Sequence, residues 1–543
     1  MSRATGRSVG SALMVCGTAS DVGKSRLVTG LCRALARRGL RVAPFKGQNM
    51  SLNSVITPDG FEVARAQGTQ ATAAGIVPEV AMNPVLLKPT GPRRSQVVVM
   101  GRPWRELDAV GLQEAKAELE PVVDGALADL RQRFDVVLCE GAGSPAEINL
   151  FDHDLANLGL AVRARVPAVV VGDIDRGGVF AHLFGTVALL PADRRSMVRG
   201  FVVNKFRGDP ALLGSALDQL RDRCGVPTLG VLPHLGRLWI DAEDSLALDG
   251  GHWPPGSLPH DGGSREDGPA PGGVLDVAVV RLPHLANFTD VDPLVAEPEV
   301  AVRLVGHGAA LGHPDVVVLP GSKSTVADLE WLRDCGLASA VLDRRSASGP
   351  VVLGICAGYQ MLGRSVDDPD GVESPVAHSE GLGFVGVRTG FVAEKRTVRR
   401  QGRRRDGTEP VEGYEIHHGR PEVDGSSEPW LLLGPCRTGD AGAAGDVGPV
   451  GGPAGHPAGG GLEAEGVADE AAGVYGTSLH GLFESDRFRH WFLAEVAARR
   501  GKRWQPSGTS FAALREAQVD RLADACEAHL DLDHLLALAA EAR

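Results

Sequence analysis

Cys356 stands in Pro350-Val351-Val352-Leu353-Gly354-Ile355-Cys356-Ala357-Gly358-Tyr359-Gln360, an apolar β-branched run that passes through a Gly-x-Cys-x-Gly turn into helix-forming residues. Small residues on both sides of a nucleophile allow a sharp strand-to-helix elbow, which lifts the side chain above a sheet. A free thiol with a pKa of ~8.5 is only a few per cent thiolate near neutrality, so a catalytic cysteine needs a base. His480, in Val474-Tyr475-Gly476-Thr477-Ser478-Leu479-His480-Gly481, ends another apolar run and can supply it. The pair predicts hydrolysis of the glutamine side-chain amide, with Cys356 as nucleophile and His480 as general base and then acid. Backbone N–H groups of Ala357 and of the turn at Gly321 and Ser322 are the expected oxyanion donors.

A second chemistry-bearing run is Val15-Cys16-Gly17-Thr18-Ala19-Ser20-Asp21-Val22-Gly23-Lys24-Ser25, between an apolar strand and a helix. Glycines let backbone N–H groups converge on phosphates at a helix N-terminus; Lys24 would reach the β/γ-phosphates and the Ser25 hydroxyl would hold Mg2+. The expected ATP-binding set is Gly17, Thr18, Asp21, Val22, Gly23, Lys24 and Ser25. The strict phosphate-loop pattern wants Gly where this chain has Thr18, a departure that resembles the dethiobiotin-synthetase-like subgroup. Glu140 ends an apolar strand at the sheet edge where ligands gather in open α/β folds, and a carboxylate there can coordinate Mg2+ held by a triphosphate. Asp173, Asp175 and Arg176 follow the next strand, positioned to bind substrate or metal or to form an Asx turn. Asn204 and Lys205 form a further strand-end pair, expected to contact adenine.

These groups need sheets to hold them. Between residues 11 and 248, strand-like runs at 12–16, 41–45, 96–100, 134–139, 167–171, 200–204 and 228–232 alternate with amphipathic stretches such as 24–38, 106–133 and 210–224. Val-rich strands alternating with helices predict a parallel sheet covered on both faces. A Gly/Pro/Ser-rich linker is expected at 249–273, then a second α/β pattern over 274–500 with strands at 275–280, 315–319 and 350–353. A low-complexity insert at about 434–473 is expected to be a disordered loop, and 501–543 a helical tail.

Composition narrows the function classes. The 543 residues allow two to four domains. A net charge of −12 argues against a general nucleic-acid binder, though not against small anions. Eight scattered cysteines include no CxxC pair and no zinc spacing, and Cys16, Cys32 and Cys139 lie in apolar runs as expected of small buried hydrophobes. No run approaches the ~18 apolar residues of a membrane span. A cytoplasmic location without membrane or nucleic-acid partners is expected; homo-oligomerisation is left open.

Taken together with Phe45-Lys46-Gly47-Gln48-Asn49-Met50-Ser51-Leu52-Asn53, Ala81-Met82-Asn83-Pro84-Val85-Leu86-Leu87-Lys88-Pro89, Glu140 through Leu150, Asn287-Phe288-Thr289-Asp290, Leu319-Pro320-Gly321-Ser322-Lys323-Ser324-Thr325 and Gly413-Tyr414-Glu415-Ile416-His417-His418-Gly419, the chain resembles the cobyric acid synthase family. That resemblance implies an N-terminal phosphate-loop domain (1–248), dethiobiotin-synthetase-like with a parallel sheet, and a C-terminal class I glutamine amidotransferase α/β domain. It implies ATP and Mg2+ as cofactors, with glutamine and a corrin polycarboxylate as further substrates. The implied reaction is amidation of the b, d, e and g carboxylates of adenosylcobyrinic acid a,c-diamide. Lys46, Gln48, Asn49, Asn53, Asp173, Asp175 and Arg176 are the implied substrate contacts. The sibling family that amidates the a and c positions reads Phe-Lys-x-Gly-Pro-Asp-Tyr after the second strand, and Gln48-Asn49-Met50 here lacks its carboxylate.

Many class I glutaminases carry Glu two residues after the catalytic His; this chain has Leu482. The pattern therefore supports a Cys–His dyad and does not say what orients His480. His417 and His418 are equally consistent with a glutaminase lining and a polar strand end. The basic run at 396–405 reads as a solvated hairpin tip rather than a corrin site. A partition-type ATPase switch would place a signature Lys early in the phosphate loop, where Thr18 and Ala19 stand.

Overall fold

The computed structural model describes residues 9–236, 238, 274–436 and 461–542, apart from 92, 153, 347 and 426. The chain forms two compact units: Met1–Thr57 with Phe61–Ala247 and Ala513–Arg543, and Pro58–Gly60 with Leu248–Ala512. The linker expected at 249–273 lies outside the described residues. Among the described residues no helix is long and apolar enough to cross a membrane.

In the first unit, alternate residues of Ser11–Gly17 face opposite ways. Ala12, Met14 and Cys16 enter one core and Leu13 and Val15 the other, so the strand is buried on both faces. Its sheet runs 228–233, 198–206, 168–173, 11–17, 136–140, 42–45, every neighbouring pair parallel. All carboxyl ends therefore share one edge, which gathers Gly17, Lys46, Glu140, Asp173 and Asn204 from strands far apart in sequence.

The run expected at 96–100 lies elsewhere. It belongs to Arg94–Val99, in an antiparallel hairpin with Val85–Gly91 and Arg102–Asp108, with Gln48–Met50 on the edge. Apolar periodicity shows that a segment is a strand but not which sheet it joins. The tail is helical, and it is also part of the core of the first unit. Its helices, Phe511–His529 and Leu532–Ala540, supply Val519, Leu522, Ala523 and Cys526 to the core beside helix Lys24–Arg37. A row of ion pairs, Arg33 with Glu516, Arg37 with Asp520 (2.8 Å) and Asp524 (2.7 Å), and Arg38 with Asp533 (2.7 Å), lines the same contact.

The second unit holds the sheet 300–305, 275–280, 316–319, 351–355, 474–477, 467–469, parallel except for its last strand. A second, mixed sheet contains the long pair Val387–Arg404 and Pro410–Val423. The insert expected to be disordered across 434–473 is ordered at its C-terminal end, where Glu463–Glu465 and Val467–Asp469 are strands with Val467 fully buried. Its residues 437–460 lie outside the described residues.

Candidate functional site

In the first unit the loop after Gly17 leads into helix Lys24–Arg37, with Asp21 at φ 57°. Lys24 is buried and donates to the carbonyls of Ala19 (2.9 Å) and Gly143 (3.1 Å), stretching its ammonium across the loop. Thr18 N–H donates to Val171 O (2.9 Å). The Ser25 hydroxyl donates to Glu140 Oε1 (2.7 Å), which leaves the oxygen's lone pairs for a cation.

Glu140 is fully buried and accepts from Ser25, from Lys46 Nζ (3.0 Å) and, on Oε2, from Gln70 (2.5 Å). Burial opposes its ionisation, but the Lys46 charge and the hydrogen bonds from Ser25 and Gln70 outweigh it and hold the carboxyl below its ordinary range. An ionised oxygen donor next to a helix-start hydroxyl suits Mg2+, which takes few protein oxygens and completes its shell with phosphates and water.

The remaining residues expected here divide. Asn204 Nδ2 donates to Val22 O (2.8 Å), and Lys205 Nζ to Asp21 O (2.8 Å) and Asp173 Oδ2 (2.8 Å), so both grip the loop itself. Arg176 reaches Asp21 (2.6 Å), Asp175 pairs with Arg207 (2.6 Å), and the Asx turn considered at this position is present as Asp175 N–H to Asp173 Oδ1 (2.9 Å). Lys46 joins the Glu140 cluster directly. Asn49 reaches it through a buried relay: Asn49 Nδ2 to Gln67 Oε1 (3.0 Å), Gln67 Nε2 to Gln70 Oε1 (3.4 Å), then Gln70 to Glu140. Gln48 lies in the edge strand Gln48–Met50, and Asn53 is buried, with Ser51 Oγ donating to its carbonyl (3.2 Å). Sequence reasoning missed Gln67 and Gln70. Helix Arg65–Ala73 is buried along nearly its whole length despite its polar residues, and polar composition ordinarily reads as surface.

In the second unit Cys356 lies between strand Val351–Ile355 and helix Ala357–Leu362 at φ 52°, ψ −108°. A positive φ at a residue with Cβ costs about 1–3 kcal/mol. The elbow is held by Cys356 N–H donating to Thr477 O (2.7 Å), and Gly358 passes so close to Leu319 that a Cβ there would sit 1.9 Å from its carbonyl oxygen. His480 is buried, and its Nδ1 lies 2.7 Å from Asp290 Oδ2, while Asp290 Oδ1 accepts from Gly481 N–H (2.8 Å). Burial pulls the His480 pKa down, but the charge of Asp290, the Cys356 sulfur and hydrogen bonds to both push it up to about 10. Since Nδ1 is engaged by Asp290, the contact with Cys356 falls to Nε2.

The turn at Gly321 and Ser322 borders the same imidazole: a Cβ on Gly321 would lie 3.0 Å from His480 Cε1. Buried Asp328 holds that turn, accepting from Ser322 Oγ (2.6 Å) and lying 2.7 Å from His284 Nδ1. Ala357 opens the helix after Cys356. The structure thus brings all five expected glutaminase residues together and answers what orients His480: the Asp290 carboxylate lies against its Nδ1, so the expected Cys–His pair has a third group beside it. Asp290 stood in the Asn287–Asp290 run, the one sequence signal that could have marked it. Glu465 was also missed: it accepts from Thr477 Oγ1 (2.6 Å) and Ser478 N–H (2.7 Å), bracing the segment that carries His480.

His417 Nδ1 lies 2.6 Å from Gly419 O and His418 Nδ1 3.2 Å from Val392 O, both within the long strand pair. The arginine run is not simply a solvated tip: Arg400 is buried, 3.2 Å from Glu415 and 2.8 Å from Glu463.

Two family models match the chain: the CobQ/CobB/MinD/ParA nucleotide binding domain over residues 13–245 and the CobB/CobQ-like glutamine amidotransferase domain over residues 276–488. Among curated proteins it is similar to cobyric acid synthase from Nocardia farcinica, 51% identical over 96% of both chains. It is likewise similar to those from Mycobacterium sp. strain KMS, 48% over 97% of this chain and 96% of the relative, and Streptomyces coelicolor, 49% over 96% and 95%.

Proposed function

The chain belongs to the cobyric acid synthase family, and from that premise we propose that it amidates the b, d, e and g carboxylates of adenosylcobyrinic acid a,c-diamide with ammonia released at Cys356 and His480. Glutamine-dependent amidation in cobalamin synthesis and ATP use follow from membership of the family. The choice of carboxylates, the residues and Mg2+ are our reading. The observation that carries it is the Asp290–His480 pairing beside a cysteine on a strained elbow, in the same chain as a phosphate loop backed by Glu140.

Cys356 attacks the glutamine amide carbon, His480 delivers a proton to the departing nitrogen, and ammonia leaves a thioester. Water, deprotonated by His480, then releases glutamate. Asp290 holds the imidazole in the tautomer with its Nε2 toward Cys356 and stabilises the imidazolium. The peptide N–H groups of Ala357 and of the Gly321–Ser322 turn meet the negative oxygen of the tetrahedral intermediate.

A carboxylate is a poor electrophile, so amidation begins with attack of a corrin carboxylate oxygen on the γ-phosphorus of ATP, with ADP leaving. Ammonia then attacks the acyl phosphate and phosphate departs. Lys24 and the loop N–H groups neutralise charge on the transferring phosphoryl group. Ser25 and Glu140 would hold Mg2+, which supplies further neutralisation of the phosphate oxygens. Lys46, Gln48, Asn49, Asn53, Asp173, Asp175 and Arg176 are the proposed substrate-side residues. Asn204 and Lys205 serve ATP by holding the loop.

Mass spectrometry of the a,c-diamide incubated with protein, Mg-ATP and glutamine tests the substrate. A ladder of products ending at the fourfold amide is expected. Unchanged corrin while glutamine is hydrolysed would reject the assignment.

A further inference from the structure

Strand Pro410–Val423 carries Gly-Tyr-Glu-Ile-His-His-Gly, a run with no part in the chemistry described so far. It is clipped to His480 by two backbone hydrogen bonds, Tyr414 N–H to His480 O (3.1 Å) and His480 N–H to Tyr414 O (2.9 Å). The clip demands glycine at 413, where a Cβ would lie 2.1 Å from the His480 carbonyl oxygen. With the backbones in this register, the Tyr414 ring stacks on the imidazole, centroids 5.4 Å apart and planes 23° from parallel.

The surroundings of the imidazole can be assigned side by side. Asp290 holds Nδ1, Gly321 borders Cε1, and one face is covered by Tyr414. A ring hydrogen-bonded at one nitrogen can still swing about the N···O line, carrying Nε2 out of line with a partner on its far side. A flat ring against its face blocks that swing. We propose that Tyr414 is the positioning residue that holds the His480 imidazole in the plane that aims Nε2 at Cys356. This deepens the glutaminase reading above and rests on it.

Tyr414→Leu removes the flat ring and keeps the backbone clip; Tyr414→Phe keeps the ring and removes the hydroxyl. A misaimed base slows chemistry without weakening glutamine binding. For Tyr414→Leu the expected result is a fall in glutaminase kcat of about tenfold, the scale of one aromatic stack, with KM for glutamine unchanged. Tyr414→Phe is expected to restore kcat to within about twofold, and ammonia-driven amidation to be the same in all three proteins. An undiminished kcat in the Leu variant, an equal loss in the Phe variant, or a loss appearing mainly in KM would each overturn the proposal. Cys356→Ala, assayed in parallel, separates the two layers. If it still uses glutamine, the site reading itself fails; if it does not while Tyr414→Leu is unimpaired, only the positioning role fails.

Discussion

Glu140 in the first unit and Glu465 in the second each stand behind a candidate site, Glu140 accepting from Ser25 of the loop itself and Glu465 from Thr477 and Ser478, which lead to His480. Their charge surroundings are opposite. Glu140 has Lys46 at 3.0 Å and is kept ionised despite complete burial. Glu465 has another carboxylate, Glu415, as its main charged neighbour. Burial and that like charge push it up to about 7, against the hydrogen bonds from Thr477 and Ser478. The first site is thus built on a carboxylate whose charge is constant across the physiological range. The second is braced by one that changes charge within it. His480 differs again: burial pulls its pKa down, but Asp290, itself anchored by Gly481 N–H, and the Cys356 sulfur together push it up to about 10.

The contrast predicts different responses to loss of each acid. Asp290→Asn should be the most damaging, lowering glutaminase turnover by roughly two to four orders of magnitude because the imidazole loses its tautomer control. The sign of the pH effect follows from the shift. Asp290 raises the His480 pKa, so its removal lets the imidazolium lose its proton at lower pH. The alkaline limb of glutamate release against pH should move down from about 10. A limb that stays in place would break the assignment of Asp290 as the third member.

Glu140→Gln should come next. ATP-dependent amidation is expected to fall roughly 10²–10³-fold with glutamine or with ammonium alike, the scale of losing one preorganised electrostatic group. Basal glutamine hydrolysis should persist. The variant also takes the carboxylate charge away from buried Lys46, so the first unit should lose stability on the scale of breaking a buried ion pair, up to about 3–5 kcal/mol, read by denaturant unfolding. Equal loss of both activities would contradict the division of labour.

Glu465→Gln should have the smallest effect. Because the folded pKa lies above the ordinary value, the stability contributed by Glu465 is present at low pH and is lost as pH rises toward and through about 7. The amide cannot ionise, so calorimetry of the full chain across pH 5–8 should show a shallower fall of the second unit's Tm, by about 2–4 °C, the shift that ~1 kcal/mol produces at this size. An unchanged slope would contradict the raised Glu465 pKa that burial and the like charge of Glu415 produce.

What could be read in advance follows the same division between local and distant. The phosphate loop is contiguous, and its own residues from Gly17 to Ser25 announce themselves by type and spacing, whereas the grip of Asn204 and Lys205 on it does not. The elbow at Cys356 was equally plain, because glycines flank a nucleophile at a strand end. Asp290 was not, since it meets His480 across 190 residues and only the folded sheet brings them together. Gln67 and Gln70 were hidden because a buried polar helix carries no apolar stripe. The C-terminal helices were expected as helices, but no local pattern shows that Leu522 and Cys526 cover the helix that starts at Lys24. Segment 96–100 was recognisable as a strand, but its antiparallel partners were not.

The central claim is that nitrogen reaches the corrin through Cys356, and isotope tracing tests it most directly. The protein is given the a,c-diamide, Mg-ATP, glutamine with labelled amide nitrogen and unlabelled ammonium, and the product amides are analysed by mass spectrometry. The account predicts labelled product from the native chain and unlabelled product, still formed, from Cys356→Ala. Label in the product of Cys356→Ala would contradict it.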